Sequence, residues 1–269
     1  MTQADTRFTG SIPEIYARYL GPLWFAPYAA DVAARATRLA PRRILETAAG
    51  TGVVTRALAA ALPDAAIDAT DINQAMVTFA AANETQPGVR WSTADAMALP
   101  FEDERFDLVV CQFGIMFFPD RVTAFREARR VLTPSGTYLA NVWDDLAHND
   151  VGRIITDVAC AAFPDDPPRF FERTPYGHGD PVAIERDLRT AGFRTVTWEP
   201  VEKRSRAAAA RDAAVGACEG TPLRHEIVAR DPNRLTDVIE DATQALRTAF
   251  GGDAIDGAMR AFVFTARKD

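Results

Sequence analysis

Between Ile44 and Val142 the sequence alternates short apolar runs with helical patterns. The apolar runs are ILETA, IDATDI, VRWSTA, FDLVVCQFG and GTYLANVW. Strands separated by helices are typical of α/β proteins with a doubly wound parallel sheet. Ligands bind such sheets outside the carboxyl ends of the strands, so the residues that end these runs are the first candidates for a functional site.

Helical patterns flank this alternating region on both sides. We predict an N-terminal helical arm or lid over residues 1–40, a core over residues 41–145, and the remainder of the sheet with helical cap insertions over residues 146–269, all within one elaborated domain. In this last part a helix is predicted over Pro181–Thr190, and FRTVTWEPV and AMRAFVFTARKD alternate like strands. The insertions place extra helices beside the sheet.

The composition favours a small-molecule partner. A formal net charge of −7 does not suit a general nucleic-acid binder, which needs a basic surface to neutralise phosphates. No segment holds about 18 uninterrupted apolar residues, and the first ten residues lack the apolar stretch of a signal peptide. We therefore expect a cytoplasmic protein without a membrane span, as a monomer or a homodimer.

The cysteines indicate neither a disulfide framework nor a metal site. Cys111, Cys160 and Cys218 are far apart and form no CxxC pair. This pattern fits reduced, mostly structural thiols, and we predict no bound metal.

The first strand runs into a glycine turn, ETAAGTG, and then into a helix. Gly50 and Gly52 lack Cβ atoms, which lets a ligand approach the backbone and lets the next helix start tightly. Such turns commonly bind nucleotides, and a tight turn without a ligand is the alternative interpretation.

Carboxylates end the next two strands. Asp71 lies about twenty residues after the glycine turn, where a carboxylate can accept hydrogen bonds from both hydroxyls of a ribose; a helix N-cap is the alternative role. Asp95 can accept from an adenine amino group while the amide of Ala96 donates to the ring, and Ile72 or Met76 can pack on its face.

Several of these segments carry a family resemblance in their order and spacing. ILETAAGTG, ATDINQAM, TADAMALPFEDERFDLVVCQFGIMFFPD and EARRVLTPSGTYLANVW resemble the class I S-adenosylmethionine-dependent methyltransferases (methyltransferase type 11/25), in particular those of ubiquinone and menaquinone biosynthesis. The resemblance covers roughly residues 41–143. It implies a seven-stranded, mostly parallel, Rossmann-like sheet with the last strand antiparallel, S-adenosylmethionine bound to the core over residues 41–145, and a helical substrate cap.

The resemblance also assigns cofactor-binding roles by position. The residues that it implies, together with those argued above, are Glu46, Ala48, Gly50, Gly52, Asp71, Ile72, Met76, Asp95, Ala96, Cys111 and Gln112. Cys111, Gln112 and Phe113 are expected to line the methionine part and the transferring methyl group. The departure from the family is at Ala48-Ala49, where glycine is more common at the first position; alanine costs little there if the local φ is negative.

Two features favour a methyl donor over a dinucleotide. A cationic sulfonium with an amino group benefits from a carboxylate such as Glu46, whereas a pyrophosphate requires amide donors without a nearby anion. The dinucleotide fingerprint also needs a third glycine, and Thr55 stands at that position. An NAD(P)-dependent oxidoreductase and a non-catalytic S-adenosylmethionine-binding scaffold remain the alternatives.

The predicted reaction is methyl transfer by in-line displacement to a small apolar or aromatic acceptor, at an oxygen, nitrogen or carbon atom. The expected substrate pocket is lined by aromatic residues, namely Tyr16, Tyr19, Trp24, Phe113 and Trp143. Gln112 is a candidate catalytic residue. His178, between two glycines, is a candidate general base.

Overall fold

The computed structural model describes Gly10, residues 12–84 and residues 86–269. Residues 1–9, Ser11 and Thr85 lie outside the described residues, so the arm predicted for residues 1–40 is seen only from Gly10 and Ile12 onward. The strands are β1 (Arg43–Glu46), β2 (Ala66–Asp71), β3 (Val89–Thr93), β4 (Phe106–Gln112), β5 (Leu132–Trp143), β6 (Thr195–Ala207) and β7 (Ile255–Arg267).

These strands form one seven-stranded sheet in the order β3-β2-β1-β4-β5-β7-β6. Strand β1 pairs in parallel with β2 and with β4, β2 pairs in parallel with β3, and β4 pairs in parallel with β5. The sheet is mixed, with its last strand antiparallel, and the predicted fold class is confirmed. Strand β4 is buried along most of its length, as a central parallel strand is when helices cover both faces of the sheet.

The described helices precede β1 or lie in the connections between strands, except that none lies between β3 and β4. They are α1 (Ile12–Ile15), α2 (Ala26–Leu39), α3 (Val53–Ala61), α4 (Gln74–Ala82), α5 (Arg121–Val131), α6 (Asp150–Ala162), α7 (Phe170–Arg173), α8 (Pro181–Thr190), α9 (Ala210–Glu219), α10 (Leu223–Arg230) and α11 (Leu235–Phe250). A π-helix spans Tyr16–Phe25, and short 3₁₀ helices span Ile115–Phe117 and Leu146–His148. The predicted helix at Pro181–Thr190 coincides with α8.

Local side chains fix several helix starts. Asn73 accepts hydrogen bonds from the amides of Ala75 and Met76 at the start of α4, and Asp180 accepts from Val182 and Ala183 at the start of α8. Such caps satisfy amide groups that have no partner inside the helix. The βα connections that carry the candidate site residues are therefore anchored by their own sequence.

The chain divides into two compact units. The helical unit comprises the described residues up to Pro27, together with Trp143–His178 and Glu202–Arg260. The sheet unit comprises Tyr28–Val142, Gly179–Val201 and Ala261–Asp269. Strands β6 and β7 contribute residues to both units.

The sheet unit has a continuous apolar core between the sheet and the helices on one face. Its buried members come mainly from α2, α3 and the central strands, and include Val32, Ile44, Leu58, Leu108 and Val263. Burying side chains of this size removes apolar surface from water at roughly 25 cal/mol per Å². Among the described helices, none is both long enough and apolar enough to cross a membrane.

Candidate functional site

The turn after β1 has backbone angles that favour glycine. Gly50 has φ +56° and Gly52 has φ +81°, and both lie in the left-handed region that side chains disfavour. A Cβ on Gly50 would meet nothing within 4 Å, whereas a Cβ on Gly52 would lie 2.9 Å from the indole of Trp91. The space beside Gly50 is therefore open to a ligand, and the backbone at Gly52 is closely covered.

Asp71, at the end of β2, is bound to this turn. One carboxylate oxygen accepts the amide hydrogen of Gly50 at 2.8 Å, and the other accepts that of Asn73 at 2.8 Å. Burial raises the pKa of Asp71, and these two hydrogen bonds oppose the rise. Because a carboxylate oxygen has more than one lone pair, each can still accept from a hydroxyl group. The geometry suits a vicinal diol such as a ribose.

Glu46, at the end of β1, is a nearly fully buried carboxyl group. It is 2% exposed, and its Oε2 accepts the hydroxyl hydrogen of Thr55 at 2.6 Å. Burial raises its pKa to about 8, with a smaller contribution from the charge of Asp71, while Thr55 and Arg56 act in the opposite direction. A cation placed beside Glu46 would favour its ionised form.

The ends of β2 and β3 are joined, because the Ala94 amide donates to the Asp71 carbonyl at 3.1 Å. Asp95 follows directly and accepts the amide hydrogen of Met97 at 2.8 Å, which orients its carboxylate; Ala96 lies within this turn. The two residues predicted to pack on the adenine differ in burial. The side chain of Ile72 is 63% exposed, whereas that of Met76 is 4% exposed.

The end of β4 holds the remaining predicted cofactor contacts. Cys111 is fully buried, and burial raises the pKa of its thiol to about 11, so the thiol stays neutral and covered. Gln112 is half-buried. Phe113, which follows, has φ +53° and lies in a bend after the carboxyl end of β4.

From the sequence, we expect Ala48 to cost little if its φ is negative, and the structure does not meet that condition. Its φ is +53°, in a region that costs an L-residue roughly 1–2 kcal/mol. A Cβ on Gly114 would lie 2.5 Å from the Cβ of Ala48. The glycine at position 114 therefore makes room for the alanine methyl group.

The predicted aromatic pocket residues lie in different units. Tyr16, Trp24 and Trp143 belong to the helical unit, and each contacts Phe25, with ring centroids 4.9 Å, 6.4 Å and 6.2 Å away. Phe113 belongs to the sheet unit and meets Tyr28 edge to face at 5.3 Å.

Tyr19, also in the helical unit, lies under the guanidinium group of Arg18, 5.0 Å from its ring centroid. The structure therefore brings three of the five predicted residues into one aromatic cluster, which also includes Phe171 and Tyr176.

His178 lies in a turn between α7 and α8, half-buried, within the helical unit. Elsewhere in that unit, Asp144, Asp145 and His148 offer oxygen and nitrogen atoms within 4.8 Å of one another. Asp144 is already paired with Arg260, so its charge is compensated by the protein.

Sequence reasoning missed three residues that shape the site. Thr55 was noted only as a missing glycine, yet it donates to Glu46. Asn73 carries the N-cap pattern of α4, which could have identified it. Asn141 accepts the amide hydrogen of Phe113 at 2.9 Å, across 28 residues of sequence, and no local signal reports that contact.

Residues 44–136 match the family model described as a methyltransferase domain. The ubiquinone/menaquinone biosynthesis C-methyltransferase of Caulobacter vibrioides is 36% identical over 117 residues, which is 40% of this chain and 46% of the relative. The chain spans between 37% and 46% of the length of the curated relatives it matches.

Solved structures share the fold across the whole chain. Phosphoethanolamine N-methyltransferase 2 of Haemonchus contortus, in complex with S-adenosyl-L-methionine, superposes with a TM-score of 0.61 at 18% identity, covering 100% of this chain and 60% of that one. The [4+2]-cyclase SpnF superposes with a TM-score of 0.56 at 24% identity, covering 90% of this chain and 80% of that one. Residues 44–136 are therefore similar to the class I S-adenosylmethionine-dependent methyltransferase domain, including that of the quinone-biosynthesis C-methyltransferases.

Proposed function

We propose that this protein is an S-adenosylmethionine-dependent methyltransferase that acts on a small apolar or aromatic acceptor. The observation that carries the proposal is the pair of buried carboxylates on either side of the glycine turn. Asp71 is held by backbone amides with both oxygens still able to accept, and Glu46 is buried with a raised pKa. A ligand with a diol next to a cationic amine matches both groups.

The described residues fit S-adenosylmethionine at each part of the turn. Asp71 would hold the ribose and Glu46 the amino group of the methionine part, while Gly50 leaves open space beside the backbone. The hydroxyl of Thr51 is buried and has no hydrogen-bond partner within the described residues, as expected where a ligand supplies one. Two unit charges about 4 Å apart interact by roughly 4 kcal/mol at an effective dielectric of about 20.

The same carboxylates disfavour a nicotinamide dinucleotide. Its pyrophosphate would bind at the start of α3, and Glu46 lies beneath that turn with a hydrogen bond from Thr55. Thr55 also occupies the position at which the dinucleotide fingerprint has its third glycine.

The cofactor, when bound, supplies a methyl group on an already activated leaving group. The protein's task is to orient the acceptor in line with that group and to exclude water. Gln112 and Phe113 at the end of β4 are in the sheet unit with Glu46 and Asp71, and we assign them to the reacting end of the site. His178 is the proposed general base for an acceptor that must lose a proton.

The aromatic cluster of the helical unit supports an apolar or aromatic acceptor. Trp24 and Trp143 are 4% and 3% exposed, so their rings pack within this apolar cluster. Aromatic and apolar linings are usual for small-molecule pockets. Relatives that match part of this chain are named as C-methyltransferases of ubiquinone and menaquinone biosynthesis, and we therefore propose quinols and phenols as the first acceptors to test.

The main alternative is a protein that binds the cofactor without transferring its methyl group. A structure named as a [4+2]-cyclase shares the fold, and a fold alone does not fix the reaction. Methyl transfer to a supplied acceptor therefore has to be measured directly.

Isothermal titration calorimetry with S-adenosylhomocysteine and with NADH tests the cofactor. We expect binding of S-adenosylhomocysteine and no heat with NADH. Release of S-adenosylhomocysteine from a panel of quinols, phenols and amines then tests the reaction. Tight NADH binding without S-adenosylhomocysteine binding would overturn the proposal, and cofactor binding without turnover on any acceptor would favour the scaffold role.

We further propose a cytoplasmic location, because the three cysteines are all free thiols and free thiols suit a reducing compartment. The expected partner is a small molecule rather than nucleic acid, in line with the net charge of −7. Whether the protein is a monomer or a homodimer can be measured by light scattering.

A further inference from the structure

Two buried hydroxyl groups of the helical unit have no hydrogen-bond partner among the described residues. They belong to Thr174, which is 0% exposed, and to Tyr176, which is 7% exposed. A buried hydroxyl group without a partner has lost its hydrogen bonds to water and gained none in return, so folded proteins contain few of them. Two such groups, separated by one residue of sequence, indicate a place where a ligand supplies the missing hydrogen bonds.

Tyr176 belongs to the aromatic cluster of the helical unit. Its ring centroid lies 5.9 Å from that of Trp143 and 6.1 Å from that of Phe171, and Phe171 meets Trp24 edge to face at 5.9 Å. A buried tyrosine usually packs its ring and also finds a partner for its hydroxyl group. In Tyr176 the ring is packed, and no other described residue accepts from or donates to the hydroxyl group.

Gly152, in α6, makes room for the Tyr176 hydroxyl group. A Cβ at this position would lie 2.6 Å from Tyr176 Oη and 2.9 Å from its Cζ. Glycine is unfavourable inside a helix relative to alanine, because the unfolded chain has more conformational freedom at a glycine. The hydroxyl group therefore occupies a position that packing fixes, without a hydrogen bond from another described residue.

From these observations we infer that Tyr176 and Thr174 are specificity-determining residues that bind an oxygen substituent on the aromatic ring of the acceptor. The inference rests on the proposed function, and it names phenols and quinones as the acceptor class. The rings of the cluster pack on the acceptor ring, and each hydroxyl group can donate to its oxygen atom or accept from it.

The absence of charge in this cluster disfavours an amine acceptor. Burial raises the pKa of Tyr176, so its hydroxyl group stays protonated and neutral, and the other side chains of the cluster are uncharged aromatic rings. A protonated amine would lose its water there without gaining a counter-ion from the cluster, whereas a phenol or a quinone is neutral. The cluster therefore selects a ring oxygen over an ammonium group.

Titrations followed by ligand-detected NMR, with three probes that share one ring system, test the inference. The probes are naphthalene, 1-naphthol and 1-naphthylmethylamine, which is a cation at neutral pH. Each is added to the wild-type protein with and without S-adenosylhomocysteine. We expect 1-naphthol to bind about three- to tenfold more tightly than naphthalene, as for a neutral hydrogen bond, and the amine to bind more weakly than either.

Two conservative variants assign this preference to the hydroxyl groups. Tyr176→Phe and Thr174→Val should each weaken 1-naphthol by about three- to tenfold and change naphthalene by less than about twofold. Thr243→Val is the matched control in the same unit. Thr243 is 2% exposed and its hydroxyl group donates to the Ile239 carbonyl at 2.7 Å, so this variant should keep the wild-type affinity for all three probes.

Thermal unfolding of the unliganded protein separates a ligand-binding role from a structural one. Because neither hydroxyl group has a partner among the described residues, Tyr176→Phe and Thr174→Val should leave Tm unchanged or raise it. Tyr28→Phe is the control for Tm, because Tyr28 is 0% exposed and its hydroxyl group donates to the Val201 carbonyl at 3.0 Å. That variant should lower Tm.

Any of four results would overturn the inference. These are no binding of 1-naphthol in either condition, equal wild-type affinities for 1-naphthol and naphthalene, tighter binding of the amine than of 1-naphthol, or an unchanged 1-naphthol affinity in both Tyr176→Phe and Thr174→Val. Failure of the wild-type protein to bind S-adenosylhomocysteine would instead refute the proposed function, and the titrations without that ligand would still report on the two hydroxyl groups.

Discussion

If Glu46 binds the amino group of the cofactor as proposed, we expect cofactor binding to depend on pH, because its carboxyl group is buried. Its pKa in the folded protein is about 8, raised chiefly by burial from an ordinary value of 4.5. A cationic amine binds the ionised form, so binding at lower pH must first release a proton. With that pKa, Glu46 is about 1% ionised at pH 6 and about 24% ionised at pH 7.5. The affinity should therefore rise about 24-fold between these two pH values.

The gain levels off above about pH 8. Glu46 is half ionised at that pH and mostly ionised above it, so a further rise in pH adds little carboxylate. The sign for stability is opposite. Since the folded-state pKa lies above the unfolded value, the unliganded protein loses stability as the pH rises from 4.5 through about 8, because the unfolded chain ionises first.

Calorimetry of S-adenosylhomocysteine at pH 6.0, 6.5, 7.0 and 7.5 measures this effect. Repeating one pH in two buffers of different ionisation enthalpy should show close to one proton released on binding. Glu46→Gln keeps the hydrogen bond with Thr55 and removes the charge, so its affinity should be lower and flat with pH. Glu185→Gln is the matched control, because hydrogen bonds from Trp198 and Arg189 lower the pKa of Glu185, and its slope should equal that of wild type. A flat profile for the wild-type protein, or equal slopes for wild type and Glu46→Gln, would refute this reasoning.

The remaining predictions concern the glycine turn and its surroundings. Asp71→Ala removes the acceptor of two amides and of the proposed ribose, and should weaken S-adenosylhomocysteine by more than about 100-fold in calorimetry, at roughly 1–3 kcal/mol for each lost hydrogen bond to a charged group; binding within tenfold of wild type would contradict that role. Gly52→Ala should cost more in urea unfolding than Gly251→Ala, because both have positive φ but only position 52 also has an indole 2.9 Å from the new Cβ. The control is expected to lose about 1 kcal/mol, and equal losses would exclude the steric contribution. Ala48→Gly should stabilise the fold or leave it within about 1 kcal/mol, and it should reduce the cost of Gly114→Ala, whose new Cβ would lie 2.5 Å from the Ala48 methyl carbon. Additive effects of these two changes in thermal unfolding would show that the pair is not coupled.

The family-level prediction depended on signals that are local in sequence. The alternation of strands and helices, the two glycines and the carboxylates that end strands lie within short segments, and parallel pairing brings those strand ends to one edge. Helix α8 was predictable because Pro181 begins a periodic pattern, and its cap, Asp180, is its sequence neighbour. The sequence did not show whether Ile72 or Met76 packs on the adenine, because the two residues differ only in how far the folded chain buries them.

The chemical state of the site was decided by tertiary structure. The raised pKa of Glu46 comes from burial under elements distant in sequence, and the left-handed angle of Ala48 comes from the path of the turn between neighbouring strands. The Asn141 side-chain amide donates a hydrogen bond to Gln112 Oε1 across 29 residues, a contact that exists only because β4 and β5 pair. The helical unit is likewise assembled from three separate stretches of chain. Local periodicity and residue type were enough to predict the sheet, the glycine turn and the carboxylates that end the strands. Burial, backbone angle and hydrogen-bond partner depend on which distant segments meet, and only the folded chain specifies that.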